Sequence, residues 1–158
     1  MRTLGPQLLD FVRAGSGTAV AILRDGMNTK AFYDLVAETL ELDDRAKVAE
    51  ITATVLHALR DRLTPDEAAQ ACAQLPLPLK RVWEVDDEPD RRPIRLHRPE
   101  FYARVRVDAG LASEREARDA TFAVFGALKE QLSPGEADDI LAQLPKDLKE
   151  VWTAAQAA

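Results

Sequence analysis

The sequence predicts an all-α protein built as two tandem, pseudo-symmetric helical bundles of about four helices each. Three observations carry this. A shift of 69 positions lays residues 32–83 on 101–152 without a gap, and 20 of the 52 pairs are identical, which marks an internal repeat. Apolar residues recur at three- and four-residue spacing in both halves. Helix start and stop signals fall between those periodic segments. The division that follows is an N-terminal extension over 1–28, a first helical unit over 29–84, a charged linker over 85–97 and a second unit over 98–155.

The identities open with Phe32-Tyr33 on Phe101-Tyr102 and Val36 on Val105, and close with Ala73-Gln74-Leu75-Pro76 on Ala142-Gln143-Leu144-Pro145. In the first helix of the second unit, Phe101, Val105 and Ala109 recur every four residues, and Gly110 can close the helix in the left-handed conformation that glycine tolerates. Ser113 with Glu116 forms a capping box that opens the second helix. Ala117, Ala120, Thr121, Val124, Phe125, Leu128 and Leu132 then make one buried stripe, reproduced by Val48, Ile51, Thr52, Val55, Leu59 and Leu63. Thr64-Pro65-Asp66-Glu67 and Ser133-Pro134-Gly135-Glu136 each combine a capping hydroxyl, a first-turn proline and a glutamate at the third position, a start signal for the third helix. That helix stops before Pro76 or Pro145, because proline lacks the amide donor and restricts the residue before it. A short fourth helix places Leu148, Val151 and Trp152, or Leu79, Val82 and Trp83, on one face.

The linker passes from acidic Val85-Asp86-Asp87-Glu88 to Arg91-Arg92 and Arg95, with Pro89 and Pro93, and can fold back on itself or onto the helices. In the extension, Leu4, Leu8, Phe11 and Val12 have helical spacing, followed by Gly15-Ser16-Gly17 and the apolar stretch Ala19–Leu23. It reads as an added segment packed on the core, or as a docking helix, with Met27 as an alternative start.

Composition narrows the function. A net charge of −6 repels a phosphate backbone, so nucleic acid is not an expected partner. One cysteine and two histidines spell out neither a disulfide framework nor a metal site. No apolar run reaches the length of a membrane span or a signal-peptide core, and the expected location is the cytoplasm.

The segment "LSPGEADDILAQLP" at 132–145, preceded by "AGLASEREARDATFAV" at 109–124, resembles a bacterial family catalogued as domain of unknown function 2267. The resemblance covers both units, about two thirds of the chain, and suggests a tandem pair. It implies an all-helical fold, brings no activity, cofactor or catalytic residue, and suggests an accessory or stress-related role in prokaryotes. The first unit departs from the pattern where Asp66-Glu67-Ala68-Ala69-Gln70 replaces Gly-Glu-Ala-Asp-Asp.

Glu136, Asp138 and Asp139 are the most site-like residues, since clustered carboxylates can hold a cation or share a proton. First-turn acids are also favoured by the helix dipole. Trp83 and Trp152 can close each unit's core or present a surface between units. These five residues make up the candidate interaction surface. His57 aligns with Gly126 and His97 lies in the linker, so both read as surface residues, whereas Cys72, opposite Leu141, reads as a small core residue. No catalytic, cofactor or metal set is expected. The sequence reading is therefore a non-enzymatic protein-interaction or scaffolding module that binds a protein partner or itself. A helix-turn-helix regulator using Arg60, Arg62, Lys80 and Arg81 is the alternative, and a binder of a small ligand or cation at the acidic turn is a second.

Overall fold

The computed structural model describes residues 16–156, which contain eight helices and no strand. They are α1 (Ser16–Leu40), α2 (Arg45–Arg62), α3 (Pro65–Ala73), α4 (Leu77–Glu84), α5 (Arg98–Asp108), α6 (Glu114–Gln131), α7 (Pro134–Gln143) and α8 (Lys146–Ala154). The pattern of Leu4, Leu8, Phe11 and Val12 lies outside the described residues. Helix α1 begins at Ser16 and runs without a break through position 28, where the extension was expected to end.

Helix ends recur at the repeat offset. Asp44 and Ser113 cap α2 and α6, Thr64 and Ser133 cap α3 and α7, and Pro76 and Pro145 precede α4 and α8, each pair 69 positions apart. In the first four, the side-chain oxygen accepts the amide three residues on, as the start signals at Thr64, Ser113 and Ser133 required, and Asp44 caps α2 without having been read as a signal.

The expectation that each half closes on its own core gives way. Helix α1 packs on α6 as well as on α2, and α5 packs on α2 as well as on α6. One apolar cluster therefore runs through both halves, from Phe32, Val36, Leu56 and Trp83 to Phe101, Phe125, Leu128 and Trp152. The reason lies in the helices of the second position. Thr52, Val55, Leu56, Ala58 and Leu59 of α2 are all buried, as are Thr121, Val124, Phe125, Ala127 and Leu128 of α6. Such broad apolar faces need more cover than one short neighbour offers. Edge-to-face contacts of Phe125 with Phe101 at 5.7 Å and with Trp152 at 5.1 Å order the centre.

Helices α1 and α5 end in the same turn. Leu42 N–H donates to Ala37 O at 3.0 Å and Leu111 N–H to Arg106 O at 2.8 Å, the longer hydrogen bond of a Schellman motif. Gly110 takes the left-handed position with φ 62°, but its counterpart Glu41 is forced into it with φ 54°. A side chain there costs roughly 1 kcal/mol. Glu41→Gly is expected to stabilise the protein by about that amount, a rise of about 3 °C in Tm, read by thermal melts.

The linker is fastened to the first half. Arg91 donates to Leu63 O at 2.7 Å and Arg60 O at 2.8 Å, and pairs with Asp87 at 2.8 Å. Its guanidinium thus serves the Leu63 carbonyl past the end of α2 and adds a second donor to the Arg60 carbonyl, which also accepts the Leu63 amide. No described helix is long and apolar enough to cross a membrane.

Candidate functional site

Helices α3 and α7 meet through a contact with local two-fold symmetry. Thr64 N–H donates to Gln143 Oε1 at 3.0 Å, and Ser133 N–H donates to Gln74 Oε1 at 2.7 Å. The amide nitrogens return the contact, Gln143 Nε2 to Thr64 Oγ1 at 3.4 Å and Gln74 Nε2 to Ser133 Oγ at 3.2 Å. Each glutamine ends one third helix and completes the start of the other.

This exchange changes the duty of Glu67 and Glu136. In a capping box the third-position glutamate reaches back to the N-cap amide, but here a glutamine from across the contact holds that amide. The two glutamates turn inward instead, 7% and 6% exposed. Burial is the main cause that pushes the Glu67 carboxyl up to about 8, followed by its hydrogen bond with Glu136 and the charges of Glu136 and Asp139.

Of the five residues read as an interaction surface, only Asp138 and Asp139 are exposed. Trp83, Trp152 and Glu136 are buried, the tryptophans because the faces of α4 and α8 lie on the common core. Cys72 is buried as read, and its thiol is pushed up to about 11, chiefly by burial and then by the Glu84 carboxylate, which disfavours the thiolate form. His97 is exposed and faces Asp147 at 3.6 Å. His57, expected at the surface, is half-buried and donates to Val82 O at 2.6 Å, tying α2 to α4.

The basic residues behind the helix-turn-helix alternative do not line one open face. Arg60 is 3% exposed and donates to Trp83 O and Val85 O at 2.5 and 2.7 Å. Lys129, its counterpart, donates to Trp152 O and Ala155 O at 2.8 and 2.9 Å. Both cations close the carbonyl end of a fourth helix.

A groove lies between the first and second helix of each half. In the first half it is about 390 Å³ and flanked by Tyr33. Arg45 pairs with Asp34 across it at 2.8 Å, strapping α1 to α2, and Lys30 pairs with the same Asp34 along α1 at 2.6 Å. In the second half the same positions hold Pro99, Glu114 and Ala103, so the strap is missing. Tyr102 and Leu111 line a wider groove of about 620 Å³, and Val107 stands on its rim, 76% exposed, where the first half has Glu38. Sequence reading passed over this difference. Its signal was three charged residues aligned with proline, alanine and valine. Gln74 and Gln143 were likewise visible as an identity at positions where surface residues drift.

A family model described as "Uncharacterized conserved protein (DUF2267)" matches residues 29–156. Comparison with curated proteins finds no match.

Proposed function

The chain belongs to the DUF2267 family, described only as uncharacterised conserved proteins, and from its geometry we propose a non-catalytic protein-interaction module whose docking surface is the α5–α6 groove. The observation that carries this is the within-chain contrast: the same groove is strapped by ion pairs in one half and stripped of them in the other. Two related units explain why such a comparison holds position by position. Without the strap, Tyr102, Ala103, Val107 and Leu111 give the groove apolar lining, and Arg106 and Glu114 add one charge of each sign, a combination that takes an amphipathic helix with a branched apolar side chain as its anchor. The occupant is such a helix of a partner protein. Val107, the most exposed large apolar side chain among the described residues, becomes covered when it binds.

The test is a photo-crosslinking amino acid at position 107 in the native cell, with position 38 as its control. A helical partner peptide captured at 107 and not at 38 is the expected product. Capture should fail when Pro99→Lys, Ala103→Asp and Glu114→Arg together restore the strap. Exposed ion pairs contribute about 0 to 1 kcal/mol each, so the restored strap changes stability little. Equal capture at 38, capture that survives the strap, or capture of a second copy of the chain would each overturn the reading.

A further inference from the structure

We propose that Glu67, Glu136 and Asp139 form a site for one divalent cation of the hard, oxygen-preferring class, held where α3 meets α7. Each of the three offers a carboxylate oxygen, and these atoms all lie within 4.8 Å of one another. An ion with metal–oxygen distances of roughly 2.0–2.6 Å fits between oxygens so spaced.

A second observation points to a ligand independently of the clustering. Glu67 Oε1 and Glu136 Oε2 are fully buried and have no hydrogen-bond partner, although both side chains are more than nine-tenths buried. Buried acceptors are almost always satisfied, and these two unmet oxygens belong to carboxylates of one cluster, where a bound cation would satisfy them. Among the described residues no lysine or arginine pairs with any of the three carboxylates. Nor does the fold need glutamate at these positions for capping, because Gln74 and Gln143 already hold the Thr64 and Ser133 amides. Glutamine at 67 and 136 would remove the repulsion at no structural loss, yet glutamate stands in both halves.

The site breaks the two-fold symmetry in one place. The counterpart of Asp139 is Gln70, so the third charge comes from α7 alone. Asp139 is exposed while the pair is buried, which opens that side to solvent and leaves room for water to complete the coordination. All three donors are carboxylates, without nitrogen or sulfur, and this selects calcium, manganese(II) or magnesium over zinc or copper.

Titration of the metal-free protein with MnCl2 and CaCl2, followed by calorimetry and thermal melts, tests the site. A saturable 1:1 heat and a Tm rise of about 5 to 10 °C at a hundredfold excess over Kd are expected. E67Q/E136Q should abolish both. D139N, an exposed change that preserves folding, should weaken binding at least tenfold and serves as the test should the double variant fail to fold. A bound Mn2+ should also lose its free-ion electron paramagnetic resonance signal in the wild type alone. The absence of any saturable response in the wild type, or a response undiminished from wild type in D139N or in E67Q/E136Q, would overturn the site.

Discussion

Replacing Arg60 with alanine is expected to cost about 3–5 kcal/mol of folding stability, because it strips a buried cation from a set of partners that includes two backbone carbonyls. The guanidinium holds Trp83 O, Val85 O and, at 2.9 Å, the Asp61 carboxylate. Asp61 would keep Arg104 at 2.7 Å, but the two carbonyls at the end of α4 would be left dry and unpaired. Arg60→Lys should cost far less, about 1–2 kcal/mol, since Lys129 holds the matching Trp152 carbonyl and that of Ala155, one residue beyond the match of Val85, while lacking the planar fork that reaches Asp61 as well. Urea unfolding with an unchanged m-value measures both. A loss below about 1 kcal/mol for the alanine variant would show that water reaches the α4 end.

With divalent ions chelated, stability is expected to fall as pH rises from about 4.5 to about 8, the ordinary and folded-state values for Glu67. The sign follows from linkage. A carboxyl whose proton is held more tightly in the folded chain favours folding below the unfolded value, and that contribution is lost as pH passes through the folded one. The slope reaches about 1.4 kcal/mol per pH unit for one proton. Glu67→Gln should flatten the profile and exceed the wild type above pH 8, since its amide can donate to Glu136 where the carboxylate would repel it. Unfolding free energies at pH 5, 7 and 9 in EDTA decide this, and a flat wild-type profile would contradict it.

Local signals in this chain carried far. Thr64, Ser113 and Ser133 cap the helices they were expected to cap, Gly110 takes its left-handed turn, and the stripes of α2 and α6 are buried, because each depends on neighbours within a turn or two. What the sequence could not show is which half a stripe faces. Phe32 and Phe101 fit either partner by pattern, and periodicity carries no record of distant pairing. Glu67 shows the same limit at the scale of one residue. Its spacing from Thr64 is right for a capping box, and only the arrival of Gln143 from 79 positions away turns it into half of an acid pair. Val107 was hidden because an exposed valine draws notice only beside the Glu38 that its counterpart carries.

The crossing of α1 onto α6 bears on how the chain reaches its native state. A helical protein whose neighbours along the chain are neighbours in space forms quickly, since little loop entropy is lost before contacts begin to compensate. Here the apolar face of α1 waits for a helix that ends at Gln131, so during synthesis it emerges long before its cover exists. Premature partners, including the same helix on another nascent chain, compete for it in that interval.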